Sequence, residues 1–80
     1  MELNLYEYNH YFKDVDHLTS IDVYRVIKLF DVSDPCVQHA VKKLLCSGSR
    51  GIKDAQKDIT EARDSLNRYL IMKEEDSFGR

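Results

Sequence analysis

Cysteine is scarce in this sequence, and long apolar runs are absent from it. Its two cysteines, Cys36 and Cys46, are too few to predict the disulfide framework of a small secreted domain. Because no signal peptide is recognisable either, we expect the chain in a reducing cytoplasm. No apolar stretch approaches the roughly 20 residues that a bilayer-crossing helix needs, and no helix combines a basic face with a large apolar one. Membrane association is therefore not predicted.

Acidic residues are missing between Pro35 and Lys53, where the basic residues are Lys42, Lys43, Arg50 and Lys53. The rest of the chain holds the other eight of its 12 basic residues and all 14 acidic ones, a balance of −6 inside a total of −2. An overall negative charge disfavours bulk, sequence-independent binding of nucleic acid. The local positive charge predicts a site for an anion instead, without saying which anion.

The length of 80 residues predicts a single domain that spans residues 1–80. A chain of this size buries only about 60% of its unfolded surface, so one core gives marginal stability. Small domains compensate with disulfides, a metal or self-association. Since the first two are disfavoured here, we expect a homo-oligomer.

Residues that support metal binding or catalysis are sparse. Cys36 and His39 have a C-x-x-H spacing, but zinc needs four ligands and no second tight pair exists. A cysteine nucleophile beside His39 has no third group that would orient the base. We therefore predict no metal, no cofactor and no catalytic residue. Asp54, Asp58 and Glu61 are interpreted as a solvated face, although acids beside phosphates also suit a nucleotide-handling enzyme.

Residues 1–18 combine large apolar and aromatic side chains with polar ones at a spacing closer to two than to 3.6. This pattern predicts an extended aromatic arm or short edge strand, which must lie against the helical body or a second copy. Tyr8 and Tyr11 then have two possible roles. They either cap the core or form a stacking wall for a planar ligand such as a base.

Residues 20–72 have helical periodicity and predict an all-α, three-helix domain, with a short helix followed by an antiparallel helix pair. The predicted helices span Ile21–Phe30, Pro35 to Cys46 or Ser47, and Ile52–Met72. The expected N-caps are Thr19 or Ser20 for the first helix and Ser33 or Asp34 for the second. Residues 73–80 are predicted to be a flexible acidic tail.

The third predicted helix carries apolar residues at alternating spacings of three and four, as in a coiled-coil seam. The seam residues are Ile52, Ala55, Ile59, Ala62, Leu66 and Tyr69. Leu70–Met72 widens the apolar surface beyond what one seam requires. That surplus is expected to meet the aromatic arm or another subunit.

The turn that contains Gly48, Ser49, Arg50 and Gly51 joins the second predicted helix to the third. Consecutive amides in a glycine turn form an anion-binding concavity, and the following helix contributes its N-terminal dipole and free amides. Arg50 can grip a phosphate with two hydrogen bonds, which lysine cannot do. The turn lacks the preceding strand and the Gly-Lys-Ser/Thr ending of a Walker loop. The alternative is a plain connection between helices with solvated charges.

One pattern extends over residues 20–70: a helix with an Ala-hydrophobic-Lys sequence, a glycine turn, and a helix with Asp and Lys. The matching positions are Ala40, Val41, Lys42, Gly48, Gly51, Asp54 and Lys57. In this layout the chain resembles the SaV-like bacteriophage family, whose members are described as nucleotide-kinase-like. In size and helical build it is also similar to phage anti-CBASS sponges, which sequester cyclic oligonucleotide signals in oligomeric pockets.

Together these features give a leading hypothesis of a phage-type protein in the host cytoplasm. It would bind a nucleotide-like anion, such as a cyclic oligonucleotide immune signal, and sequester it as a counter-defence sponge. The predicted ligand-binding residues are Tyr8, Tyr11, His39, Lys43, Gly48, Ser49, Arg50, Gly51 and Lys53. The alternatives are a nucleotide kinase-like enzyme and a protein inhibitor that blocks a host enzyme through its arm or Leu70–Met72.

Overall fold

The computed structural model describes residues 9–49 and 51–78, excluding the side chains of residues 9, 52 and 53. A 3₁₀ helix at Asn9–Tyr11 precedes three α-helices: α1 (Val23–Leu29), α2 (Pro35–Leu45) and α3 (Ile52–Phe78). Within these described ranges no residue lies in a strand, so the all-α, three-helix prediction is confirmed. The chain divides into two compact units, Met1–Asp31 and Val32–Arg80.

In the first unit, α1 begins two residues later than predicted, at Val23. Its N-cap is Asp22, whose carboxylate accepts a hydrogen bond of 2.9 Å from the backbone N–H of Arg25. Asp22 has the extended backbone typical of an N-cap and satisfies an amide that has no partner within the helix. The prediction of Thr19 or Ser20 as the cap is therefore wrong.

The described part of the predicted arm is not an extended strand. Asn9–Tyr11 forms a 3₁₀ helix, and the following residues up to α1 have no regular structure. Tyr11 is exposed over 66% of its surface, and its ring lies 4.0 Å from that of His10, centroid to centroid. Tyr8 lies outside the described residues, so its predicted role stays a prediction.

In the second unit, α2 starts where its sequence predicts. Asp34 is the N-cap and accepts hydrogen bonds from the amides of Cys36 at 2.8 Å and Val37 at 3.0 Å. Pro35 occupies the first turn, where a missing N–H has no consequence. The helix ends at Leu45, slightly before the predicted end.

α3 continues to Phe78, six residues beyond the predicted end at Met72. Residues 73–78 are therefore helical, and the predicted flexible tail is wrong for this segment. Two contacts stabilise the extension: the Ser77 hydroxyl donates to the carbonyl of Lys73 at 3.0 Å, and Arg68 lies 3.0 Å from Glu75. Acidic composition alone predicted fraying, but it does not prevent helix formation.

α2 and α3 form an antiparallel hairpin with a small interior. Ala40 and Ala62 are each only 2% exposed, and such short side chains allow the helix axes to approach closely. Asp58 is also buried, at 4% exposure. Within the described ranges no large side chain is fully buried. The hairpin therefore places small and polar residues where a larger domain would place leucine and phenylalanine.

Candidate functional site

The turn between α2 and α3 has the backbone geometry that its glycines suggest. Gly48 has φ +78° and Gly51 has φ +132°, values that residues with a side chain rarely adopt. A Cβ atom on Gly48 would lie 3.3 Å from the Cβ of Ala55, so the turn lies close against α3. The amide of Ser49 donates to the carbonyl of Cys46 at 3.3 Å, and that of Gly51 to Gly48 at 3.2 Å. Two of the amides proposed for an anion are thus bonded within the turn.

The N-terminus of α3 already carries a negative charge. The carbonyl of Gly51 accepts the first helical hydrogen bond, from the amide of Ala55 at 3.0 Å, and Asp54 lies in the first turn. An acidic side chain at this position compensates the positive end of the helix dipole. Any bound anion would share that dipole with Asp54. Arg50 and the side chain of Lys53, which carry much of the anion prediction, lie outside the described residues.

Lys43 faces α3 and pairs there with acidic residues. Its ammonium lies 2.9 Å from Glu61 Oε1 and 3.7 Å from Asp58 Oδ1. The hydrogen bond from Lys43 is the main cause that lowers the pKa of Glu61, opposed in part by desolvation. Asp58, whose side chain is 6% exposed, does not belong to a solvated face as predicted. The segment without acids in the sequence is therefore faced by acids of another helix.

His39 lies on the same edge of α2 as Lys43, four residues before it. Its Nδ1 is 2.6 Å from the hydroxyl of Ser65 on α3, with the tautomer deciding which of the two donates. We call this edge the polar seam; it consists of His39, Lys43, Asp58, Glu61 and Ser65. The structure thus brings two predicted ligand residues, His39 and Lys43, into contact with the partner helix of the hairpin.

The described residues contain no group of three or more histidine, cysteine, aspartate or glutamate side chains that could hold a metal ion. Both cysteines, Cys36 and Cys46, are free thiols. None of the helices, over the residues that are described, is long and apolar enough to span a bilayer.

An apolar groove on the outside of the hairpin is the feature that the sequence prediction missed. Ile59, Leu66 and Leu70 of α3 are exposed by 53%, 41% and 60%, and Leu44 of α2 by 49%. We call these four residues the apolar stripe. They line an open groove of about 420 Å³, together with Ala62, Arg63 and Asn67.

The predicted coiled-coil seam of α3 is divided between two faces in the structure. Ala62 is buried against α2, whereas Ile59 and Leu66 are exposed. This happens because Asp58 and Ser65 occupy the face toward α2 and contact Lys43 and His39 there. The sequence did contain a signal: the apolar residues of α3 outnumber the positions on one stripe. That surplus was assigned to Leu70–Met72 and not to Ile59 and Leu66.

Comparisons of the chain with protein families, with curated proteins and with solved structures find no match. The resemblance to SaV-like phage proteins therefore stays a prediction.

Proposed function

We propose that this chain is a protein-binding module, in which the α2–α3 hairpin docks a partner against its apolar stripe. The observation that carries the proposal is the contiguous exposure of Leu44, Ile59, Leu66 and Leu70 along one groove. Isolated exposed leucines are ordinary on protein surfaces, but a contiguous apolar groove with polar residues at its edge is typical of an interaction site. Helical hairpins offer such grooves to other helices.

The energetics favour an occupied groove. Fully burying a leucine or isoleucine side chain contributes about 1.5–3 kcal/mol, and each member of the stripe is roughly half exposed. Covering the four side chains is therefore worth about 3–6 kcal/mol before the costs of association. A domain this small has a total stability of only about 5–10 kcal/mol. The occupant of the groove would thus change the stability of the chain.

A photo-crosslinking residue at position 66 tests the proposal in cells that produce the protein. Leu66 lies within the stripe, whereas Arg68 is two residues away and faces the opposite side of α3. We expect a covalent protein adduct from Leu66 and much less from Arg68, which is half exposed and serves as the matched control. Equal labelling from both positions, or none from Leu66, contradicts the proposal.

A second candidate, the sequestration of a nucleotide-like anion, keeps one supporting observation. The turn with positive φ at Gly48 and Gly51 follows directly on Lys42 and Lys43 in the last turn of α2. Against it stand the internal hydrogen bonds of the turn and the pairing of Lys43 with Glu61. The role as a phage counter-defence sponge in a host cytoplasm belongs to this candidate and stays a prediction.

Calorimetric titration with cyclic di- and trinucleotides tests the anion hypothesis. Binding with heat in the native protein, lost in Arg50→Ala and kept in Arg68→Ala, is the expected result. No heat with any of these ligands counts against sequestration. Incubating the protein with nucleotides and magnesium separates sequestration from the kinase-like alternative. Sequestration predicts that the nucleotides are recovered intact, whereas a kinase-like enzyme would transfer phosphate from one nucleotide to another.

A further inference from the structure

We infer that the partner on the apolar stripe is a second copy of this chain, lying antiparallel along α3. The inference rests on the proposed function, that the stripe binds protein, and names the occupant. Its basis is the arrangement of the residues along the groove. Large apolar side chains, Ile59 and Leu70, stand at its two ends, and Ala62, Arg63, Leu66 and Asn67 lie between them.

This arrangement is complementary to itself when one copy is reversed. A twofold axis between residues 64 and 65 places Ile59 opposite Leu70, since the two positions are equally distant from the axis. Any interface with a twofold axis must match its own surface in this way. The Ile59–Leu70 contact is then formed twice, once at each end of the interface, and the two contacts are equivalent by symmetry.

The middle of the stripe also fits its own reversed copy. Arg63 comes opposite Leu66, where its aliphatic stem can cover the leucine while the guanidinium remains in solvent. The guanidinium already pairs with Asp64 of its own helix, 3.2 Å away, so covering Leu66 with the stem of Arg63 leaves the charge with a partner.

The size of the hairpin is at the lower end of what a dimer needs. α3 has 27 residues and α2 has 11, so they are about 40 Å and about 16 Å long. The face is therefore about 20 Å wide along α2 and about 10 Å wide along the rest of α3, which gives about 560 Å² per copy; the two copies together just exceed the roughly 1,000 Å² expected of a biological interface. Leu44 on α2 lies in the same groove, so two hairpins would meet as a four-helix bundle. The bundle would bury the large side chains that the single hairpin leaves exposed.

Engineered cysteines distinguish antiparallel pairing from the alternatives. In a background with Cys36→Ser and Cys46→Ser, one protein carries Ile59→Cys and another carries Leu70→Cys. We expect a disulfide-linked dimer when the two proteins are mixed under oxidation, and little from either alone. Like positions would lie about 16 Å apart along the axes, whereas a disulfide needs Cα atoms within about 7 Å.

Two results of this experiment overturn the inference. Efficient linkage of Ile59→Cys to itself indicates parallel pairing, and linkage no better than that of an Arg68→Cys control indicates no specific contact. Light scattering on the native chain provides a check that needs no variant. We expect twice the mass of one chain at micromolar concentration, and a monomer at every concentration overturns the inference.

The photo-crosslinking product from Leu66 separates failure of this inference from failure of the proposed function. An adduct between two copies of the chain supports both. An adduct with another protein leaves the proposed function standing and overturns the second copy as the occupant. A link from Leu66 to residues 1–31 of the same chain, without an intermolecular product, overturns both.

Discussion

Replacing Lys43 with methionine is the sharpest test of how the hairpin is held together. The variant keeps most of the aliphatic stem but removes the ammonium that lies 2.9 Å from Glu61 and 3.7 Å from Asp58. The side chain of Asp58 is only 6% exposed, so water cannot easily replace the lost cation. Removing one partner of a buried pair is more damaging than the pair itself is stabilising, because the remaining charge stays where water reaches it poorly.

The expected magnitude follows from the distance and the exposure. Two unit charges 3.7 Å apart attract by about 4 kcal/mol at an effective dielectric constant of about 20. The side chain of Lys43 is 28% exposed, so solvent screens part of this attraction, and the cost of desolvating both groups cancels more of it. We therefore expect Lys43→Met to lower the free energy of unfolding by about 1.5–3 kcal/mol.

Urea unfolding followed by circular dichroism measures this loss, with all variants at one protein concentration because an oligomer's stability depends on it. A double-mutant cycle with Asp58→Asn should give a coupling energy of about 1–2 kcal/mol. Arg68→Met is the control, since Arg68 and Glu75 form an exposed pair worth at most about 1 kcal/mol. If Lys43→Met costs no more than Arg68→Met, the ion pair does not hold the hairpin.

Three further predictions concern pH, the turn and the start of α2. Lys43 lowers the pKa of Glu61 below its ordinary value of 4.5, so the stability from this carboxylate is present above that value and lost as pH falls through the folded-state pKa. Between about pH 6 and pH 3, thermal unfolding should show a smaller loss of Tm in Glu61→Gln than in the native chain. An equal loss would show that the Glu61 carboxylate is not the source of this pH dependence. Gly48→Ala should lower the free energy of unfolding by about 1–2 kcal/mol in urea, because a left-handed residue with a side chain is strained and the new Cβ meets Ala55 at 3.3 Å; an unchanged urea midpoint would refute this. Asp34→Ala should lower the free energy of unfolding by about 1 kcal/mol because α2 loses its N-cap, whereas Asp34→Asn should keep most of that stability. Equal losses in both variants would show that the cap is not the cause.

Local chemical signals in the sequence were sufficient to predict most of the fold. Asp34 and Pro35 mark the start of α2 because capping and a fixed φ act within a few residues, and Gly48 marks its end for the same reason. The weaker signals failed. Three polar residues before α1 can each cap it, and only the final conformation selects Asp22. Nothing local stops α3 at Met72, and the helix continues.

The candidate site was harder to predict because charge compensation acts between elements that are distant in sequence. The segment around Lys43 contains no acid, yet Asp58 and Glu61 reach it from α3. Periodicity likewise shows which residues share a side of a helix, but not which side meets the neighbour. The predicted seam of α3 contained only apolar residues, whereas Ser65 and Asp58 lie on the face toward α2. Sequence alone therefore missed the acids that pair with Lys43 and the exposure of Ile59 and Leu66.

The polar seam and the apolar stripe are best understood together. If hydrophobic burial alone joined α2 to α3, the leucines of α3 would turn inward and the hairpin would have several similar registers. The contacts of Lys43 with Asp58 and of His39 with Ser65 fix one register, because any slip would separate a buried charge from its partner at a cost of several kcal/mol. With the register fixed by polar contacts, Ile59 and Leu66 remain exposed on the outer face. A hairpin built in this way has its strongest apolar surface available for another molecule, which a monomer selected only for stability would have buried.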